Sequence, residues 1–209
     1  EAIKYYANIL CPFSKLVENK INELLDMNIP VDMICPSHGV IWRDNPLQIV
    51  NKYMEWAKAY QENQVTIIYD TMWNGTRRMA EAIAEGIQEA DKDVTIKLYN
   101  CGKTDKTDII TEVFKSKAIL VGGPTVNRGL LYDSTGLLGQ IKGLALKNKK
   151  AAAFGTYGWS GESVKIITEE LKQAGLEIID EGIRVMWNPD DDSKKLCRDF
   201  GRKIGKQIK

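Results

Sequence analysis

The sequence predicts a doubly wound α/β domain, in which helices cover both faces of a parallel sheet. From Gln64 to the C-terminus, short runs rich in β-branched residues alternate with amphipathic stretches. The run at residues 118–121 is continuously apolar, which is typical of a strand buried on both faces. Both observations favour helices that return the chain between parallel strands.

Five strands are predicted, each from a short β-branched or apolar run. They are residues 65–69, 94–99, 118–121, 151–154 and 176–179, with residues 183–187 as a continuation of the last. The amphipathic stretches between and after them predict helices at residues 76–90, 107–114, 134–141, 161–174 and 190–208.

Residues 1–62 follow a different pattern. Helical stretches at residues 3–10, 13–25 and 46–60 enclose one apolar run, residues 31–35, which predicts a single strand. Because one strand cannot form a sheet, this segment is either a helical decoration or the end of another domain, and we favour the second. The polar residues 61–64 are the best linker candidate. The chain begins with Glu inside a helical pattern, so we expect a fragment.

Composition excludes several classes of function. The formal charge is +1, so no overall field attracts nucleic acid or an anionic membrane, and we expect neither partner. With His38 as the single histidine, any metal or Ser-His-Asp chemistry must use that residue or be absent. The four cysteines form no C-x-x-C pair, which favours a reducing, cytoplasmic location. No apolar run is long enough to span a bilayer.

The loop after the first predicted strand has the features of a phosphate site. In an open α/β sheet, ligands bind beyond the carboxyl ends of the strands. Residues 70–76 offer the hydroxyls of Thr71 and Thr76 and run directly into a predicted helix. Helix N-termini bind anions through free N–H groups and the helix dipole. The same loop is also compatible with an ordinary turn and helix cap, so both interpretations stay open.

Two further loops are rich in glycine. Residues 122–129 contain three glycines, so the backbone can approach a flat ligand closely. Residues 155–161 set Tyr157 and Trp159 among three glycines, and Trp73 lies in the first loop. The aromatic residues favour a planar, stacking cofactor. The alternative is a turn whose aromatic rings fold back on the core.

Two other uses of this fold are disfavoured. A dinucleotide-binding domain would carry G-x-G-x-x-G after the first strand, where this chain has Thr-Met-Trp-Asn-Gly-Thr. A phospho-acceptor domain needs an acidic cluster for Mg²⁺, but Asp70 has no acidic partner at the end of the third strand.

The sequence resembles the flavo-diiron proteins over nearly its whole length. Residues 71–76, 122–127 and 154–161 are similar to the three FMN loops of that family's flavodoxin-like domain. Residues 35–46, Cys-Pro-Ser-His-Gly-Val-Ile-Trp-Arg-Asp-Asn-Pro, are similar to the closing segment of its metallo-β-lactamase-like domain. The resemblance implies a flavodoxin-like sheet of order 2-1-3-4-5. It implies domains at residues 1–62, a mainly helical remnant of the di-iron domain, and 63–209.

The resemblance also implies the cofactors and their ligands. The FMN-binding residues would be Thr71, Met72, Trp73, Asn74, Gly75, Thr76, Pro124, Thr125, Val126, Asn127, Gly129, Gly155, Thr156, Tyr157, Gly158, Trp159 and Gly161. His38 would be an iron ligand, although the residue pattern alone favours a buried or turn histidine. The other ligands of the di-iron site are not in this sequence, so this chain alone should lack the oxygen or NO chemistry. Gly75 stands where some relatives have a hydroxyl or amide side chain.

The resemblance implies a function in electron transfer. FMN would receive electrons from a rubredoxin-like or other small redox donor and pass them to a di-iron site that reduces O₂ to water or NO to N₂O. The family implies that the complete protein forms a head-to-tail homodimer or tetramer. The alternatives are an FMN-dependent NAD(P)H or quinone oxidoreductase, and a binding module whose flavin pocket is vestigial.

Overall fold

The structure is a computed structural model that describes all residues from Glu1 to Lys209. The chain divides into two compact units, Glu1–Tyr60 and Gln61–Lys209.

The first unit consists of helices around a small aromatic core. Helix α1 (Ala2–Tyr5) continues through a π-helical segment, Tyr6–Leu10, and a 3-10 turn, Cys11–Phe13, into α2 (Ser14–Asp26), and α3 (Leu47–Ala57) follows. The π-helical segment, which is wider than an α-helix, lies just before Pro12. The proline ring crowds the carbonyl four residues earlier, and proline has no N–H to donate. The buried Tyr6 ring meets the rings of Tyr53 and Trp56 at 5.2 and 5.5 Å between centroids.

The predicted strand at residues 31–35 is wrong. Ile34 and Trp42 form one isolated antiparallel bridge, with both N–H···O distances at 3.0 Å, and no strand develops around it. The apolar run finds no neighbouring strand to pair with in this unit, and a strand without a partner leaves its backbone groups to solvent.

The second unit confirms the predicted fold class. Its strands are β1 (Glu62–Tyr69), β2 (Thr95–Asn100), β3 (Ser116–Gly122), β4 (Lys150–Tyr157), β5 (Glu177–Ile178) and β6 (Ile183–Met186). The order is β2-β1-β3-β4-β5, and every pairing is parallel. The fifth predicted strand is interrupted: β5 and β6 both pair with β4, one after the other along its length.

Helices connect the strands close to the predicted positions. They are α4 (Gly75–Ala90), α5 (Lys106–Lys115), α6 (Tyr132–Gly143), α7 (Ser163–Gln173) and α8 (Asp191–Gln207). Capping fixes two of the starts, because the carboxylates of Asp105 and Asp190 accept hydrogen bonds from the backbone N–H groups of Thr107 and Ser193.

Helices α4 and α8 approach each other closely through glycines. A Cβ atom on Gly86 would lie 2.1 Å from the Arg198 carbonyl oxygen, and one on Gly201 would lie 2.2 Å from that of Ile83. Two exposed ion pairs, Arg198 with Glu85 and Arg202 with Glu89, flank this contact. The C-terminal helix therefore depends on residues without side chains to close over the core.

We expect Gly201→Ala to lower the free energy of unfolding by about 2 kcal/mol, because the added methyl overlaps backbone that cannot move aside cheaply. Gly139→Ala is the matched control, since Gly139 lies in α6 with nothing within 4 Å of an added Cβ. This substitution should raise the free energy of unfolding by about 0.5–1 kcal/mol. Urea unfolding followed by circular dichroism measures both. Equal effects of the two substitutions would contradict the close contact of α4 and α8.

Candidate functional site

Three loops meet at the carboxyl edge of the sheet because β1, β3 and β4 are neighbours. Backbone hydrogen bonds tie these loops together beyond the strands. The Asp70 N–H donates to the Gly122 carbonyl at 2.9 Å, and the Thr125 N–H donates to that of Thr156 at 2.8 Å. The loops are therefore fixed relative to one another by the sheet itself.

Between these loops lies a cavity of ≈ 550 Å³. Eleven of the predicted FMN-binding residues line it: Thr71, Met72, Trp73, Gly75, Pro124, Thr125, Asn127, Thr156, Tyr157, Gly158 and Trp159. Arg128, Ser160, Trp187 and Asn188 also line it and were not predicted. The structure thus brings residues from all three predicted loops, and from a fourth after β6, to one place.

The other six predicted residues shape the loops without lining the cavity. They are Asn74, Thr76, Val126, Gly129, Gly155 and Gly161. Val126 and Gly129 exchange backbone hydrogen bonds across a two-residue turn. A Cβ on Gly155 would lie 2.4 Å from the Gly123 carbonyl oxygen, so only glycine lets the second and third loops approach this closely.

The N-terminus of α4 opens toward the cavity. Asn74 precedes the helix in a left-handed conformation (φ 63°), and its side chain makes no capping hydrogen bond. A Cβ on Gly75, the first helical residue, would lie 3.2 Å from Asn188 Oδ1. The donors of the first helical turn are thus left without a side-chain cap, at a place where an anion would find them.

The two predicted phosphate hydroxyls differ in position. Thr71 lines the cavity. Thr76 is fully buried, and its hydroxyl pairs with that of Thr156 at 3.0 Å. This hydrogen bond joins the start of α4 to β4, so it holds two walls of the cavity together.

The aromatic residues of the site are held in different ways. Trp73 and Trp159 are 81% and 87% exposed, and both line the cavity. Tyr157, by contrast, has Gly161 against one part of its ring and the Arg184 guanidinium 5.8 Å from its centroid. Of these three rings, those of Trp73 and Trp159 are the more exposed.

Trp187 adds a fourth ring from the loop after β6. It adopts φ 59°, its backbone N–H donates to the Tyr157 carbonyl at 2.8 Å, and its ring centroid lies 6.3 Å from that of Trp159. The sequence extended the last strand through this residue. The signal available was the following Asn-Pro pair, which is typical of a turn at a strand end.

Asp70 is a buried carboxylate next to the first loop. It accepts hydrogen bonds from the N–H groups of Thr71 at 3.0 Å and Ser134 at 3.3 Å. The pKa of the nearby Cys101 thiol is raised to about 12, mainly by burial and to a smaller extent by the negative charge of Asp70. This cysteine is therefore inert at neutral pH. Asp70 therefore anchors the loop to α6 rather than facing the cavity.

His38 lies in the first unit. It is exposed, its ring lies 5.3 Å from that of Tyr5, and it borders a largely apolar cavity of ≈ 890 Å³. No group of three or more His, Cys, Asp or Glu side chains is arranged to hold a metal ion.

Residues 67–201 match the flavodoxin family. The chain belongs to this family. A solved flavodoxin from the domain Archaea superposes on 69% of the chain, and on 98% of its own, with a TM-score of 0.62 and 26% identity.

Longer proteins match nearly the whole chain. The anaerobic nitric oxide reductase flavorubredoxin of Klebsiella pneumoniae is 52% identical over 98% of this chain and 42% of its own length. The rubredoxin:oxygen oxidoreductase of the anaerobe Desulfovibrio gigas superposes on 99% of this chain and 51% of its own, with a TM-score of 0.92 and 35% identity. The flavodiiron protein of Giardia intestinalis covers the same shares with a TM-score of 0.88 and 28% identity.

These similarities confirm the resemblance to the flavo-diiron proteins, of which this chain corresponds to the C-terminal part. This chain spans about half the length of these relatives, or less. None of its helices is long and apolar enough to cross a membrane.

Proposed function

We propose that the chain is the FMN-binding electron-transfer part of a flavo-diiron oxidoreductase that reduces O₂ to water or NO to N₂O. The observation that carries the proposal is the cavity at the carboxyl edge of the sheet, which combines an uncapped helix N-terminus with exposed indole rings. The matched relatives named as nitric oxide reductase and as oxygen oxidoreductase support the direction of electron flow.

The residues of the cavity fit FMN in three respects. The start of α4 and the Thr71 hydroxyl offer donors for a phosphate without requiring a cation. The rings of Trp73 and Trp159 can flank a planar ring system. The volume falls within the range of small-molecule sites, about 300–1,000 Å³. When bound, FMN supplies the redox chemistry, while the protein supplies orientation and electrostatics.

Each loop then has its own task. The first loop holds the phosphate through Thr71 and the N–H groups of the first turn of α4. Thr76 supports that loop through its hydrogen bond to Thr156. The glycines of the second and third loops bring backbone donors and acceptors close to the ring edge, and the tryptophans exclude water from its faces.

The electron donor, the assembly and the location belong to the same proposal. A rubredoxin-like protein or another small redox protein would reduce the chain in the cytoplasm, and the complete protein would assemble as a head-to-tail homodimer or tetramer. The Desulfovibrio relative, named as a rubredoxin:oxygen oxidoreductase, supports the choice of donor, and the four free cysteines favour a reducing location. Sedimentation of a longer polypeptide that carries the remaining di-iron ligands tests the assembly, and a monomer at high micromolar concentration would contradict it.

Thr71→Val should weaken FMN binding about 10- to 150-fold, because a hydrogen bond to a charged phosphate contributes about 1.5–3 kcal/mol. Riboflavin, which lacks the phosphate, should bind the variant almost unchanged. Thr95→Val, at an exposed position that starts β2, is the matched control and should alter neither ligand. Fluorescence titration of both flavins measures the effect. An equal loss of affinity for riboflavin and FMN would show that this loop does not bind the phosphate.

Trp159→Ala should raise the fluorescence of bound flavin and weaken its binding roughly 2- to 13-fold, the value of an aromatic contact of about 0.5–1.5 kcal/mol. Trp73→Ala should give a smaller change. Tyr132→Ala removes a 94% exposed aromatic side chain outside the cavity and serves as the control. If the Trp159 variant quenches flavin as strongly as the unchanged chain, stacking on this residue is wrong.

His38 would contribute one ligand to the di-iron site. The residues of this chain do not by themselves fit a di-iron centre, because each iron needs several N or O ligands and His38 is the single imidazole. We therefore expect the chain supplied with ferrous iron to be rich in flavin and poor in iron by metal analysis.

In a longer polypeptide that carries the remaining ligands, His38→Ala should lower the affinity for iron by roughly 10- to 100-fold or more. Less iron should then be bound, while the FMN content stays intact. Stoichiometric iron in this chain alone, or undiminished iron in the longer variant, would show that His38 is not a ligand.

A further inference from the structure

Arg128 is the one charged side chain that lines the cavity. The other fourteen lining residues are neutral, and none is acidic. Arg128 is exposed and forms no salt bridge or hydrogen bond within the chain, whereas Arg77, Arg198 and Arg202 all pair with carboxylates. Its charge is therefore available to whatever occupies the cavity.

The backbone at Arg128 is unfavourable for arginine. Val126 and Gly129 exchange backbone hydrogen bonds at 3.1 and 2.8 Å, which leaves Asn127 and Arg128 as the two central residues of a hairpin turn. Both have positive φ, 50° and 59°. Such turns strongly favour Asn followed by Gly, because a side chain at the second position is strained. The chain has Arg at that position and places its glycine one residue later.

The turn lies between the first and third loops of the cavity, because β3 is the strand between β1 and β4. It follows β3 and is tied to β4 by the hydrogen bond from the Thr125 N–H to the Thr156 carbonyl. The loop after β4 carries Trp159, while the uncapped helix N-terminus follows β1. The helix N-terminus already provides donors for a phosphate, so the Arg128 charge is available to the planar ring system beside the tryptophans.

We infer that Arg128 is a flavin-tuning residue, whose positive charge meets the isoalloxazine ring and favours its reduced form. The inference rests on the proposed function. Reduction places additional negative charge on the ring, and in a cavity lined otherwise by neutral groups one cation has a direct effect on that charge. Arg128 therefore raises the midpoint potential of bound FMN.

The test is the midpoint potential of the FMN-loaded chain, measured by dithionite titration against a reference dye. Arg128→Gly removes the charge and suits the positive φ, so the melting temperature should not fall. The potential should fall by about 30 mV or more, which for two electrons is a tenfold loss of preference for reduced over oxidised flavin. Arg128→Lys keeps a charge and should stay close to the unchanged chain.

Two controls separate the charge from its side effects. Ala145→Gly relieves another left-handed residue (φ 47°), and Lys147→Gln removes an exposed charge, both outside the cavity. Neither should alter the potential.

Three outcomes would overturn the inference. One is an unchanged potential in Arg128→Gly. Another is a loss of affinity for FMN but not riboflavin, again with an unchanged potential, which would assign the arginine to the phosphate. Failure of the unchanged chain to bind FMN would overturn the proposed function and this inference together, whereas the first two outcomes leave the proposed function intact.

Discussion

The carboxyl ends of β1, β3 and β4 are held side by side by backbone hydrogen bonds that continue past the strands. Tyr69 is in register with Gly122, and Gly122 with Phe154. A shift of one residue in either pairing would move each side chain to the opposite face of the sheet and displace the loops relative to one another. Because the site consists of these loops, its geometry depends on the register of three strands more than on any one side chain.

Close packing behind the loops sets that register. A Cβ on Gly122 would lie 2.2 Å from the Phe154 ring, so β3 leaves room for a large side chain on β4. The Thr76 and Thr156 hydroxyls then satisfy each other in a buried place, where an unpaired hydroxyl would cost about 1–3 kcal/mol. The walls of the cavity are therefore part of the core, and a ligand enters a site that is already formed.

Much of this organisation could be predicted from the sequence. The five strand positions follow from apolar runs, and the loops at residues 70–76, 122–129 and 155–161 follow from glycine, threonine and tryptophan after those runs. The roles of individual residues could not be predicted in the same way. Thr76 turns to Thr156, a residue 80 positions away, and only the strand register brings the two hydroxyls together. The sequence predicts that Trp187 belongs to a strand because the residues before it are mostly apolar. Its positive φ depends on contacts with the third loop.

Left-handed backbone conformations are concentrated around the cavity. Of the eight residues other than glycine with positive φ, four are Asn74, Asn127, Arg128 and Trp187. Asparagine tolerates this conformation, but arginine and tryptophan do so at a cost of order 1 kcal/mol or more each. Left to their own backbone preferences, these residues would adopt negative φ. The packed sheet beneath them therefore holds them in the left-handed conformation. The same rigidity that strains Arg128 and Trp187 keeps one cation and one indole ring at the cavity before any ligand arrives, which reduces the ordering that binding would otherwise require.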